Sequence, residues 1–232
     1  MIDICLIGRR YEDTIVHIDE LNLGETNECV KVETRKGGMY NIQSANLDGL
    51  TITCFPVGSK KALILGEQSG SRRTSIVKNA DPHLDTLNGI VPTVFDWIHV
   101  AYLDDLKDDH GLSLKSAKSP LSVDFCTTSD REQYREIIDK CELVFDSRER
   151  KRLYSKIITP TPIVLHDEGG CECIQMGKVV SNSTIKPVSG LNVNGAGDIF
   201  AAIFIREFMS SGLDYAVETT SHLVTNMLKS RS

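Results

Sequence analysis

The stretch Asn192-Val193-Asn194-Gly195-Ala196-Gly197-Asp198 sets two glycines around one alanine and a carboxylate directly behind them. The apolar run that follows, residues 199–205 and on to Met209, has the length and residue types of a buried helix, with Gly212 just past its end. The glycines then stand at a helix N-terminus. There the leading N–H groups lack intrahelical partners and the helix dipole is positive. Small residues let an anion approach that backbone closely. Asp198, in the first turn, is placed to act as a general base beside developing negative charge. The same residues would also serve as a plain connection with a capping Asp. No G-x-x-x-x-G-K-[ST] occurs in the chain, so the stretch is not a Walker A loop. With Phe200 at the third glycine position it is a poor dinucleotide fingerprint.

Other residues invite the same question. Asp13 follows the first strand candidate (residues 2–7), at the end where open α/β sheets bind ligands, or is an ordinary loop residue. Asp146 and Glu149 close another strand candidate, where carboxylates can position a hydrated Mg2+ near phosphates. Arg148, Arg150, Lys151 and Arg152 crowd around them, as in a solvated charge cluster. Arg9 and Arg10 could grip a carboxylate or phosphate, and equally could decorate a surface loop. The six histidines have no partner spacing and read as structural.

The elements that must hold these residues are short. Residues 2–7 read as a buried strand ending at Gly8. Residues 14–34 read as two extended segments joined at Asn22-Leu23-Gly24, and Lys36-Gly37-Gly38 as a second glycine turn. A strand over 50–55 closes at Pro56 and Gly58, and residues 62–77 form a hairpin with a polar tip. Beyond Pro92, strand candidates at 97–100, 121–125, 143–145 and 162–165 alternate with a helix over 129–140. Ser129 and Glu132 form a capping-box pattern for that helix, and residues 214–228 make the last helix. Alternating strands and helices predict an α/β fold with a mostly parallel sheet, as one domain over 1–232.

Bulk composition excludes other classes. The 232 residues are 41% hydrophobic and 25% charged, which is ordinary globular composition. A net charge of −6 argues against nucleic acid as the partner. No apolar run is long enough to span a bilayer. Seven scattered cysteines, with only Cys171 and Cys173 close together, read as free thiols of a reducing cytoplasm.

Taken together, these pieces resemble the ribokinase (PfkB) family of sugar and nucleoside kinases. The family's D-T-x-G-A-G-D signature stands here as residues 192–198, with Asn192 and Val193 in place of Asp-Thr. Asp13 has the spacing of the family's substrate-binding Asp, and Leu23-Gly24-Glu25-Thr26 is similar to its P-G-E-T turn. Lys36-Gly37-Gly38-Met39-Tyr40-Asn41 resembles G-G-x-x-x-N, with Lys at the first glycine. Asp146-Ser147-Arg148-Glu149 resembles N-x-x-E, and residues 165–170 resemble the strand and turn before the nucleotide site, with His166 where glycine is usual. Few residues separate Asn41 from Lys60, so a narrower sheet than the family's is expected.

The resemblance implies a ribokinase-like three-layer fold with a mostly parallel central sheet and a small β lid from 14–35 and 60–78. It implies transfer of the γ-phosphoryl group of ATP to a sugar hydroxyl. Asp198 would be the base, and Asn194, Gly195, Ala196 and Gly197 the anion hole. Asp13, Gly37, Gly38, Asn41 and Asp198 would bind the acceptor, and Glu149 would organise Mg2+ partly through water. A homodimer through the lid and a shortened adenine pocket are further implications. The alternative is a sugar- or nucleotide-binding protein without turnover on the same scaffold, which the replacements at Asn192, Val193, Lys36 and Asp146 suggest.

Overall fold

The computed structural model describes residues 1–20, 22, 25–45, 47–67, 73–78, 95–106, 114, 116–188, 191, 193 and 195–230. The strands are β1 (Ile2–Ile18), β2 (Cys29–Gly38), β3 (Leu50–Glu67), β4 (Arg73–Lys78), β5 (Trp97–Val100), β6 (Leu121–Asp124), β7 (Leu143–Ser147), β8 (Ile163–Asp167), β9 (Gly170–Gln175) and β10 (Lys178–Thr184). The helices are α1 (Met39–Ser44), α2 (Arg135–Ile138), α3 (Ala196–Ser211) and α4 (Leu213–Lys229). The sheet runs β10-β9-β8-β7-β6-β5-β1-β3-β4, and β2 pairs with β1. From β3 through β1 and β5 to β8 the neighbours are parallel, while the β8-β9-β10 edge is antiparallel.

Both faces of the parallel region are buried, which is why its strands read as unbroken apolar runs. On β1 the alternation sends Ile4 and Leu6 to one face and Cys5 and Ile7 to the other. The first face packs on α1, α3 and α4 through Met39, Phe200, Phe204 and Val217. The second packs on α2 and its surroundings through Ile137, Ile138 and Tyr154. Helix, sheet and helix make three layers with a mostly parallel centre, as expected. Among the described residues no helix is long and apolar enough to cross a membrane.

β1 and β3 do not stop where the sequence suggests. β1 runs through Gly8 to Ile18, so Asp13 lies within the strand and not in a loop after it. β3 runs through Pro56 and Gly58 to Glu67. The two remain parallel neighbours throughout, with a register shift between Gly8 and Arg10, opposite Pro56 and Ser59. A bulge is where a strand tolerates a proline that cannot donate to the ladder. Beyond it, β2 replaces β5 beside β1, and β4 joins β3. The outer halves of β1 and β3, with β2 and β4, therefore form a four-stranded flap continuous with the central sheet. Residues 68–72, the tip expected between β3 and β4, lie outside the described residues.

Two further differences have local causes. The helix expected over 129–140 is a 3-10 turn (Arg131–Tyr134) followed by the short α2. Asp130, not Ser129, accepts the N–H of Glu132. Thr127 and Ser129 share a hydroxyl–hydroxyl bond of 2.5 Å, and Thr127 is anchored on Asp104, so the helix starts later. The β9–β10 hairpin was not anticipated. Its turn sits at Met176 and Gly177, both with positive φ (50° and 72°), the conformation of a type I′ turn. Met in place of Asn or Asp hides that turn from sequence reading.

Candidate active site

Gly195 begins the site. Its φ of 74° turns the chain into α3, and a Cβ there would stand 2.7 Å from the Asn41 amide nitrogen. Glycine is needed both for the left-handed conformation and for the close approach of Asn41. Ala196 spends its N–H on the carbonyl of Val193, and the helical ladder opens with Ile199 donating to Gly195. The N–H groups of Gly197 and Asp198 lie ahead of that ladder, at the positive end of the helix dipole. Asn192 and Asn194 lie outside the described residues.

Asp198 is 3% exposed. Asn41 donates its amide to Asp198 Oδ2 at 2.7 Å, and Tyr102 donates its hydroxyl to Oδ1 at 2.7 Å. The first bond closes a distance of 157 residues in the chain. α1 delivers Asn41, and Gly38 delivers α1. At φ 62° Gly38 bends β2 into the helix, and a Cβ would strike the Arg9 carbonyl at 2.6 Å. Gly37 has its own reason: a Cβ there would run into the Asp13 carboxylate. The glycine expected to make a turn instead gives an acidic side chain its space on the flap. Asp13 itself sits opposite Arg35 of β2 and Ala62 of β3.

The carboxyl ends of the other parallel strands contribute more acids. Asp124 ends β6. Burial first, then the Asp198 and Asp146 carboxylates, hold its carboxyl well above the usual carboxylate range. Asp146 on β7 has no exposure. Its oxygens accept from Arg131 Nε and Nη2 at 3.1 and 2.9 Å, from Arg150 Nε at 2.5 Å, from the Tyr154 hydroxyl at 2.8 Å and from the N–H of Ser147 at 2.7 Å. Five donors leave little capacity for a cation. Glu149, one turn on, is exposed. Among the described residues no three His, Cys, Asp or Glu side chains cluster as a metal site. His166 stacks on Phe200 (centroids 4.3 Å apart) and lies 3.3 Å from where a Cβ on Gly197 would be. Burial, then Arg150 and Arg148, push it down to about 4, so a neutral imidazole flanks the start of α3.

Arg9 does not face a ligand. It is buried on Asp105, with Nε 3.1 Å from Oδ2, and Lys60 pairs with the other carboxylate oxygen. Tyr11 also donates to Asp105, at 2.7 Å. This cluster joins β1 and β3 to the segment after β5, at the base of the flap. Arg10 instead stands over the Tyr40 ring. Cys171 and Cys173 are buried, and burial pushes their thiols up to about 11 and about 12, which makes them packing residues and poor thiolate ligands. A cavity of about 470 Å³ lies between the segment after β10 and α4, lined by Ile185, Lys186, Val188, His222, Asn226 and Lys229 among others.

Tyr102 and Asp124 are the site residues the sequence did not single out, and His166 was marked only as standing where glycine is usual. Asp124 and Asp146 share one signal, an acid at the carboxyl end of an apolar run, and only the second was noticed. Nothing in the sequence marks Tyr102, whose φ of 64° and long-range bond are tertiary facts.

No family model matches the chain, and no curated protein matches it. Solved structures do. A Burkholderia thailandensis nucleoside kinase in complex with inosine superposes with a TM-score of 0.66 at 14% identity, covering 97% of this chain and 88% of that one. A pyrophosphate-dependent kinase in the ribokinase family, with sulfate, gives 0.65 at 16% identity over 97% and 95%. Arabidopsis thaliana ribokinase complexed with ribose and ATP gives 0.64 at 13% identity over 98% and 93%. The fold is that of the ribokinases and related sugar and nucleoside kinases.

Proposed function

We propose that this protein is an ATP-dependent kinase that transfers the γ-phosphoryl group to a hydroxyl of a sugar or sugar-like small molecule. The observation that carries the reading is Asp198, a buried carboxylate in the first turn of α3, behind the Gly195 turn and bonded to Asn41. Asn41 supports it by reaching both Asp198 and the Gly195 turn, and the fold is shared with kinases of sugars and nucleosides.

In this reading Asp198 accepts the proton of the attacking hydroxyl. Asp13 and Asn41 hold other acceptor hydroxyls, with Gly37 and Gly38 giving the flap its close approach. Of the turn over Asn194, Gly195, Ala196 and Gly197, the Gly197 N–H, ahead of the helical ladder, takes charge that develops on the transferred group, while the Ala196 N–H stays on the Val193 carbonyl. Val193 brings no hydroxyl to that charge, so the backbone carries it. Lys186, His222, Asn226 and Lys229 line the cavity beside α4, whose volume suits a nucleotide base and ribose. The bonded oxygens of Asp146 do not fit a Mg2+ ion. Glu149, exposed and near the strand ends, fits one held through water. Mg2+ arriving with the nucleotide would supply charge neutralisation on the phosphates. The flap closes over the acceptor and excludes water, since phosphoryl transfer depends mainly on positioning. The enzyme would act in the cytoplasm on small molecules, apart from nucleic acid and membrane. A homodimer would form through the outer flap face, where Val32 and Leu63 are exposed.

The test is ATP consumption by the purified protein with Mg2+ and a panel of sugars, nucleosides and sugar acids. Asp198→Asn should lower turnover by roughly 10²–10⁴-fold with an unchanged circular dichroism spectrum. Near wild-type turnover in that variant would sink the assignment. The five donors on Asp146 favour a second reading, a ligand-binding protein without turnover. An acceptor that raises the melting temperature while ATP is not consumed would select it.

A further inference from the structure

Asp198 is not simply a carboxylate in a cleft; each of its oxygens has a different keeper. Asn41 donates to Oδ2 from α1, an element that follows the flap strand β2. Tyr102 donates to Oδ1 from the segment that leaves β5, in the heart of the sheet. A base that must take a proton from an incoming hydroxyl needs one oxygen released and the other held. The two donors differ in how easily they can let go. Asn41 has a second amide hydrogen and lies among residues suited to acceptor hydroxyls. Tyr102 has one hydroxyl hydrogen, and its aromatic body is fixed.

The backbone around Tyr102 supports a dedicated role. Its φ of 64° and ψ of 60° are left-handed, a strained conformation that is rare for a bulky residue. The 3-10 turn Leu103–Asp105 follows at once, and Asp105 is the carboxylate that gathers Arg9, Lys60 and Tyr11 at the flap base. The Tyr102 ring meets the Tyr11 ring edge-on, with centroids 6.1 Å apart at 88°. Tyr102 is therefore held by its turn on one side and by the first flap residues on the other. Its hydroxyl is kept protonated: burial first, then the Asp198 and Asp124 carboxylates, hold it well above the ordinary phenol range. It can donate to Asp198 and cannot take a proton from it.

We infer that Tyr102 is a positioning residue for the base: it pins Oδ1 of Asp198 so that Oδ2, handed over by Asn41, is the oxygen that receives the acceptor proton. The step balances within groups already named. The acceptor O–H bond breaks as its oxygen attacks phosphorus, the proton passes to Oδ2, and Tyr102 keeps its own proton on Oδ1 throughout. The inference rests on Asp198 being the base of the proposed reaction. Asn41 from α1 and Asp124 from β6, whose own carboxyl burial holds well above the usual range, also face this carboxylate. Removal of the Tyr102 hydroxyl therefore takes away a donor that favours the ionised base, with no other charge altered.

The test is Tyr102→Phe, which keeps the ring and the Tyr11 contact. Carbon-13 labelling of aspartate carboxyls, with the Asp198 signal assigned by its loss in Asp198→Asn, follows the base without any need for turnover. The Asp198 midpoint should rise by about one to two pH units in Tyr102→Phe, the equivalent of one hydrogen bond to a charged group. With a phosphorylated acceptor in hand, kcat should drop roughly 10–100-fold, the acid limb of its pH profile should move up by the same interval, and acceptor KM should stay unchanged. Should the variant not fold, 3-fluorotyrosine in the unsubstituted chain gives the second reading: the Tyr102 fluorine signal should shift with the Asp198 midpoint. An unmoved Asp198 midpoint in a folded variant, or a fluorine signal indifferent to Asp198, would overturn the inference. Absence of kinase activity in the unsubstituted protein would overturn the kinase reading and leave the carboxyl measurement to judge the pair by itself.

Discussion

Arg131 is a guanidinium without exposure to water, with its central carbon 4.1 Å from the centroid of the Phe125 ring. It bonds Asp146 through two nitrogens and Asp104 at 3.3 Å, and donates to the carbonyls of Ser129 and Thr127. Each of its donors has a use, which is what makes burial of the charge tolerable. Truncation would take from the buried Asp104 side chain its guanidinium partner and leave Asp146 with Arg150 alone of its two. Arg131→Met should therefore cost about 3–5 kcal/mol, read from urea denaturation, because an unpaired buried charge is far worse than a lost attraction. The same contacts explain why Asp146 was misleading in the sequence. Its place in a motif is that of a metal-side residue; the crowding arginines were visible, but not that the distant Arg131 joins Arg150 on it. Asp198 and Asn41 were legible because their chemistry is local to short motifs. Tyr102 was not, because a left-handed tyrosine 96 positions from its partner leaves no periodic trace.

Elements were legible where one period held and illegible where a strand crossed a break. The buried runs of β5, β6, β7 and β8 stand where apolar residues cluster. β1 and β3 were cut short at Gly8 and Pro56, since those residues ordinarily end strands; the bulge lets both continue. The junction of α3 and α4 went the other way. Gly212 was expected to stop a helix, and it does, at φ 86° and ψ −179°. No atom lies within 4 Å of where its Cβ would be, so the residue is glycine for conformation and not for space. Gly212→Ala should accordingly destabilise the protein by about 1–3 kcal/mol with no change in acceptor affinity, measured by denaturant titration and ligand-induced melting shifts.

At the scale of the whole molecule, stability has an acid limit built into the sheet. His99 on β5 is 2% exposed, bonded to Ser122 at 2.9 Å and set edge-on to Phe145. Burial pushes it down to about 3 from an ordinary 6.5. Between those values the unfolded chain binds a proton that the folded chain refuses, so stability is complete above about 6.5 and is lost as pH falls towards 3. Thermal midpoints should decline over that interval, and His99→Gln should flatten the decline even if it lowers the plateau. An equal slope in both proteins would show that other groups set the acid limit. The order of strands, helices and glycine turns was enough to suggest this architecture from sequence. Which small molecule the proposed kinase would take was not, because recognition rests on side-chain angles that composition does not encode.

β1 is a single ladder of backbone that begins among Ile4, Leu6 and Trp97 in the core and ends opposite Cys29 on the flap. A flap hung on loops would swing freely. This one is a leaf spring: bending at the Gly8 bulge flexes two parallel strands together, clamped at the root by Asp105. In the proposed reaction, closure over an acceptor would load elastic energy into the sheet, and product departure would draw on its recoil.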